Sequence, residues 1–278
     1  MKTQLLRIDC PDAKGLVYAV TGVLYRLDFN IISNHEFVDP ATRHFFMRTA
    51  VAGSAPPEAV VHELRQVLPA TATVRLAPAS KRPIVVFATK EVHCLGDLLV
   101  RYIDDDLPTH ISAVISNYAD LEPLVQQFNI PFHHVSHHNR DRAAHEQAII
   151  EVLDQYKPDY LVLAKYMRIL TPQFVARYQQ RIINIHHSFL PAFIGARPYH
   201  QAFERGVKII GATAHIVTDD LDTGPIIAQG VLPVNHAHTA AGMAQAGRDL
   251  EKIVLAKALR LVLEERVFLH HNRTIVFE

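Results

Sequence analysis

Apolar and polar positions alternate from Gln4 to Cys10, which predicts a strand. The Cys10-Pro-Asp-Ala-Lys-Gly15 stretch that follows predicts a turn, with Asp12 as candidate cap for the next element. Leu16, Ala19, Val20, Val23, Leu24 and Leu27 recur at spacings of three and four, the apolar stripe of a helix that ends near Asp28-Phe29-Asn30. Strands are expected over Ile31–Val38 and His44–Ala52, joined by a turn at Asp39-Pro40-Ala41. A second amphipathic helix over Pro57–Leu68 and a strand over Thr73–Ala77 follow.

The order β-α-β-β-α-β is the ferredoxin-like arrangement, with two helices on one face of an antiparallel sheet. Pro78-Ala-Ser-Lys-Arg-Pro83 then reads as a polar linker, and Ile84-Val-Val-Phe-Ala88 is a continuous apolar run of the kind that forms a buried parallel strand. Beyond it, helices are expected over Cys94–Tyr102, Leu121–Phe128 and Ala143–Tyr156. They alternate with strands over Ile111–Ser116, Pro131–Val135 and Tyr160–Ala164. This is an open, Rossmann-like, mostly parallel α/β sheet. The expected domains are therefore 1–78, a linker over 79–83, and 84–278.

A chain of 278 residues suits this two-domain division. Lys+Arg and Asp+Glu both number 28, so no global field draws the chain to nucleic acid or to an anionic membrane, and neither is expected as a partner. Cys10 and Cys94 lie far apart without metal-ligand spacing, which favours a reducing, cytoplasmic setting. The first residues lack an apolar signal core, and no stretch reaches the length of a membrane span.

The N-terminal segment resembles an ACT domain in its first strand, its Asp9-Cys-Pro-Asp-x-x-Gly-Leu16 loop and the helix that follows. The resemblance implies pairing into a homo-oligomer, a dimer or tetramer, with glycine or methionine as candidate effectors. A pairing module without a ligand is the alternative. Lys14 and the aromatic His44-Phe45-Phe46 depart from what such a domain leads one to expect.

The chemistry concentrates later in the chain. Ligands of open α/β sheets bind beyond the carboxyl ends of the strands, and a strand over Ile182–Ile185 would present Asn184 and His186 on one side by its period of two. Together with Arg168-Ile-Leu170 and His215-Ile-Val-Thr-Asp-Asp-Leu-Asp-Thr-Gly224, this stretch resembles the formyltransferase catalytic domain that uses 10-formyltetrahydrofolate, over residues 84 to about 270. By that resemblance the catalytic Asn, His and Asp fall on Asn184, His186 and Asp222. Met167, Arg168, Ile169 and Leu170 would line the pteridine slot, with backbone groups at Arg168 and Leu170 reading its edge. The loop carrying Thr218, Asp219, Asp220 and Leu221 would close over it.

Those residue types suit formyl chemistry. Attack on a formamide carbon produces a tetrahedral oxyanion, which an amide N–H and a protonated imidazole can stabilise. A carboxylate can orient the imidazole and relay protons between the attacking group and the leaving nitrogen. Asp219 and Asp220 more simply shape the loop.

The turn Ala88-Thr-Lys-Glu-Val-His-Cys-Leu-Gly96 has no clustered glycines to cradle a phosphate, and Glu91, Val92 and His93 are expected to crowd that space. Water is then the simplest nucleophile. With His93-Cys-Leu-Gly-Asp-Leu-Leu99, Asn184-Ile-His-His-Ser-Phe-Leu-Pro191 and the ACT-like segment, the chain is similar over nearly its whole length to the formyltetrahydrofolate deformylases, hydrolases of a linear amide C–N bond. The resemblance implies 10-formyltetrahydrofolate as substrate and no further cofactor. Two alternatives are a formyltransferase to an amine without phosphate and an amino-acid sensor on a degenerate catalytic fold.

The 18 histidines raise the question of a metal, above all His133-His-x-x-His-His138 and the pair His186-His187. No metal is expected, because the Pro131–Asn139 segment lacks a matching distant carboxylate or cysteine motif. His137 is instead a candidate secondary polar group of the formyl pocket.

Overall fold

The computed structural model describes residues 3–192 and 198–278, which form two compact units. The first comprises residues up to Ser80 together with Glu264–Phe268 and Ile275–Glu278. Its elements are β1 (Thr3–Pro11), α1 (Leu16–Arg26), β2 (Asn30–Asp39), β3 (His44–Ala52), α2 (Pro57–Val67) and β4 (Thr73–Pro78). The sheet order is β2-β3-β1-β4. Each of these pairings is antiparallel except that none joins β2 directly to β4, the two edges.

Alternation along β1 sends Leu6, Ile8 and Cys10 to the face covered by α1 and α2. There they pack with Val20, Val23, Leu24, Val60 and Leu64 in one apolar cluster. The turn before α1 differs from the expectation for Asp12. Gly15, at φ 90°, is the N-cap and no side chain caps the helix; the Asp12 N–H donates to the Arg43 carbonyl at 2.8 Å.

The opposite face of this sheet is closed by the end of the chain, which the sequence reading assigned wholly to the second domain. Phe46 packs with Phe268 and Phe277. The Arg7 guanidinium lies 4.1 Å from the centre of the Phe268 ring and donates to Glu265 at 2.5 Å; Arg75 reaches the other Glu265 oxygen at 3.1 Å. Arg48 donates to the Glu264 carbonyl at 2.8 Å. These arginines lie far from residues 264–277 in sequence, and no local pattern reveals the pairing.

The second unit is built on β5 (Arg82–Ala88), α3 (His93–Ile103), β6 (Thr109–Ser116), α4 (Glu122–Gln126), β7 (Phe132–His134), α5 (Arg142–Tyr156) and β8 (Tyr160–Leu163). It continues with α6 (Pro172–Arg177), β9 (Ile182–His186), α7 (Pro198–Glu204), β10 (Ile209–Ile216), β11 (Ile226–Pro233) and α8 (Ala240–Leu263). A short C-terminal hairpin pairs β12 (Val267–His270) with β13 (Arg273–Val276).

The seven strands are ordered β11-β10-β9-β8-β5-β6-β7. Pairing is parallel from β7 to β9 and antiparallel at β9–β10 and β10–β11. The apolar β5 is flanked by β6 and β8 and buried from Ile84 to Ala88, as its unbroken hydrophobic run requires. Asp141 caps α5 by accepting from the Ala144 N–H at 2.7 Å. Thr171 caps α6 and is itself anchored at its N–H by Glu146 at 2.8 Å. That second cap fixes the end of the 165–170 segment.

Glu265 is almost fully buried between two arginines. Replacing it by Ala leaves Arg7 facing an apolar ring without its carboxylate, and should destabilise the first unit by roughly 3 kcal/mol. Chemical denaturation of Glu265→Ala against wild type measures this; an unchanged midpoint would mean that the pair contributes nothing net.

Candidate active site

β8, β9 and β10 lie side by side, and the segments around them enclose a cleft of about 280 Å³. One wall is the run that follows β8, from Lys165 to Leu170. The floor is Asn184 to His187, and the far wall is His215 with the loop from Val217 to Asp222. Met167, Arg168, Ile169, Leu170, Thr218, Asp219 and Leu221 all line this cleft, together with Asn184, His186 and Asp222. Met167 and Ile169 are more than half exposed, an arrangement that leaves apolar surface open to a flat ligand.

Asp220 does not line the cleft. Its carbonyl accepts from the Thr218 and Thr223 hydroxyls at 3.2 and 3.1 Å, so it shapes the loop. The Arg168 N–H is engaged by the Tyr166 carbonyl at 2.9 Å and is not free to read a ligand edge. His137 also stands apart from the cleft lining: its ring stacks on His138 at 4.5 Å and meets the Asn117 amide at 3.4 Å. Of the residues expected to crowd the turn after β5, only His93 turns inward; Glu91 and Val92 are about half exposed.

The strand pairing explains how the polar side chains meet. In the β9–β10 register Asn184 lies opposite His215 and His186 opposite Thr213, so all four belong to one face of the sheet. The His215 Nδ1–H donates to the Ile216 carbonyl at 3.0 Å, which leaves Nε2 as an acceptor for the Asn184 amide at 3.2 Å. Burial pushes the His215 pKa down, so its 3.7 Å approach to Asp222 joins a neutral ring to a carboxylate and is not an ion pair. The result is that Asn184 is locked in one orientation, with its second N–H available to the cleft.

His186 presents Nδ1 to Asp222 Oδ1 at 3.3 Å. Burial by itself would raise the Asp222 carboxyl, but the hydrogen bond and nearby positive charge of His186 outweigh it and hold the group below the usual carboxylate range. Asp222 sits at φ 56°, in the left-handed region. Gly224 makes that turn possible, since a Cβ there would stand 1.8 Å from the Ile216 carbonyl oxygen. His186 Nε2 is buried and has no hydrogen-bond partner among the described residues. A buried polar atom left open in a cleft is where a substrate atom is expected.

Behind the floor lies a second polar group that the sequence reading missed. Glu251, fully buried on α8, accepts from the Tyr199 hydroxyl at 2.8 Å, from His93 at 2.8 Å and from the Lys165 ammonium at 3.4 Å. Burial would raise its pKa, yet these partners bring it down to about 2. His93, Cys94 and Glu251 converge closely enough to suggest a metal site. Their chemistry opposes one, because a cation would compete with the Lys165 ammonium for the same oxygen, and burial pushes the Cys94 thiol well up, away from the thiolate a metal needs. Glu251 lies deep in a helix, and no spacing in the sequence ties it to Lys165.

Known proteins share this order of domains. The formyl transferase family model matches residues 82–259 and the ACT domain model matches residues 4–69. The chain is 54% identical to the formyltetrahydrofolate deformylase of Escherichia coli K12 over 99% of both chains. Among solved structures it is similar to a formyltetrahydrofolate deformylase from Pseudomonas syringae pv. tomato, with 40% identity and a TM-score of 0.96 over 100% of this chain and 95% of that one. It is also similar to glycinamide ribonucleotide transformylase 1 from Symbiobacterium toebii, with 31% identity, a TM-score of 0.68, and 71% and 95% of the two chains covered. With both models matched in order and the deformylase likeness running from end to end, the chain belongs to the formyltetrahydrofolate deformylase family.

Proposed function

We propose that Asn184, His186 and Asp222 carry out the hydrolysis of 10-formyltetrahydrofolate to tetrahydrofolate and formate, which supplies formate for purine biosynthesis and returns free folate to the one-carbon pool. The observation that carries these roles is the buried His186 Nε2, without a partner among the described residues, beside an Asn184 amide pinned by His215. In this reading both donate to the formyl oxygen. As water adds to the formyl carbon, that oxygen gains charge, and two donors already in place stabilise it without reorganisation. Asp222 accepts from Nδ1–H of His186 and balances the charge of the imidazolium, whose Nε2–H then donates to the oxygen.

The folate ring would lie against Met167, Ile169 and Leu170, with Thr218, Asp219 and Leu221 over it, since these apolar and polar groups share the cleft with the catalytic three. The ACT domain supports an amino-acid effector, glycine or methionine, and a homo-oligomer paired through that domain. No helix among the described residues is long and apolar enough to cross a membrane, which is compatible with a cytoplasmic enzyme.

Formate release from 10-formyltetrahydrofolate, with no other acceptor present, tests the assignment. Asn184→Ala should lower kcat by about 10²–10³-fold, the usual cost of losing one oxyanion donor. Asp222→Asn should lose activity with little change in KM; wild-type turnover by that variant would remove Asp222 from the mechanism. Gly224→Ala forces the loop off Ile216 and should depress kcat while the protein remains folded by circular dichroism. Repeating the formate assay with glycine and with methionine tests the effector; identical rates with and without them would speak against it.

Neutral buried imidazoles also make stability depend on pH. Burial and the Lys165 charge lower the His187 pKa from 6.5 to about 4, so between those values the unfolded chain binds the proton more readily. This contribution is complete above pH 6.5 and is lost as pH falls toward 4, amounting to on the order of 3 kcal/mol. The unfolding free energy should fall across that window, and His187→Gln should flatten the slope. An equal slope in wild type and variant would contradict the assignment.

A further inference from the structure

Two residues of the cleft, His187 and Lys165, take no part in the roles given above. His187 follows His186, lines the same cleft, and its ring centre lies 5.0 Å from that of His186. On its other side it meets the Tyr199 ring at 6.2 Å. Lys165 also lines the cleft, is nearly buried, and is held at φ 62° immediately after β8. Its ammonium is fixed by Glu251, which His93 and Tyr199 hold from the other directions. Strained backbone and a buried charged cluster this close to a reaction centre require a reason beyond packing.

The cluster acts on His187. Burial first, and then the Lys165 and His186 charges, hold its pKa at about 4, so near neutrality the ring keeps a free lone pair. Glu251 and Asp222 act in the opposite direction but do not outweigh them. A neutral imidazole that borders the cleft beside the oxyanion donors is placed to receive a proton from whatever attacks.

We infer that His187 is the general base of the hydrolysis, taking the proton from the attacking water while Asn184 and His186 hold the formyl oxygen. This rests on the roles proposed for those two residues. In the first step the water oxygen bonds to the formyl carbon, the carbonyl π pair moves onto oxygen, and one water proton passes to His187. In the second the carbonyl re-forms, the carbon–nitrogen bond breaks with its electron pair going to the folate nitrogen, and the proton on His187 passes to that nitrogen. Formic acid leaves and ionises. Burial, and then the charge of Lys165 that Glu251 holds, keep His187 uncharged between turnovers.

The test uses the full-length protein and follows tetrahydrofolate and formate separately. His187→Ala and His187→Gln should lower kcat for formate release by about 10²–10³-fold with KM nearly unchanged. Hydroxylamine is uncharged near neutral pH and attacks without a base. It should restore tetrahydrofolate release by His187→Ala about tenfold or more, with N-formylhydroxylamine replacing formate. Asp222→Asn and Asn184→Ala, which lack groups that every nucleophile needs, should not respond. Wild-type formate release by His187→Gln overturns the inference. So does a folded His187→Gln and His187→Ala pair that is inactive and unresponsive to hydroxylamine, because the ring would then only support the site. If Asp222→Asn and Asn184→Ala retain wild-type rates, the underlying site assignment fails instead.

Discussion

The antiparallel register between β9 and β10 is the constraint on which the cleft depends. It sets Asn184 against His215 and His186 against Thr213. A slip of one residue would turn every one of these side chains to the other face of the sheet. The register is held from both ends. Thr213 donates to the Ser188 carbonyl at 2.9 Å, accepts from the Leu190 N–H at 3.1 Å and from Gln229 at 3.0 Å; at the other end Val217 donates to the Ile182 carbonyl at 2.9 Å. The turn after β9 and the loop after β10 are therefore tied to the same pair of strands. Asp222 reaches His186 only because that loop folds back over Gly224.

Charge is buried beneath this floor at considerable cost, and the fold offsets it by pairing. A lone carboxylate at the depth of Glu251 would be unstable, and so would a lone ammonium at the depth of Lys165. Each satisfies the other, with His93 and Tyr199 completing the shell around the carboxylate. Three elements, α3, α7 and α8, and the segment after β8 thus converge on one carboxylate. The charge of Lys165, which lines the cleft, is in this way balanced by Glu251, His93 and Tyr199, which do not.

The first unit solves a different problem. A two-layer sheet with helices on one face leaves its other face open, and here the Arg7, Arg48 and Phe46 side chains of that face are covered by residues 264–268 and 275–278. The cation above the Phe268 ring and the doubly paired Glu265 give this closure polar specificity as well as apolar area. The last residues of the chain thereby belong to the same compact unit as the first.

Much of this was legible in one dimension. Periods of two and between three and four located β1, α1 and α2, because a half-buried element must repeat its apolar positions with its own geometry, and an unbroken apolar run located the fully buried β5. Asn184 and His186, two apart on a short strand, share a face by the same geometry, whereas Asp222 was reached through the family resemblance of its loop and not through any period. What the sequence could not express is contact between distant residues that follow no period. His215 as the lock on Asn184, the Glu251–Lys165–His93 cluster, and the return of Glu264 and Glu265 to Arg48 and Arg7 depend on strand register and helix placement. His187 stood in plain view beside His186, but its uncharged state comes from burial and a lysine 22 positions away, and burial exists only in three dimensions.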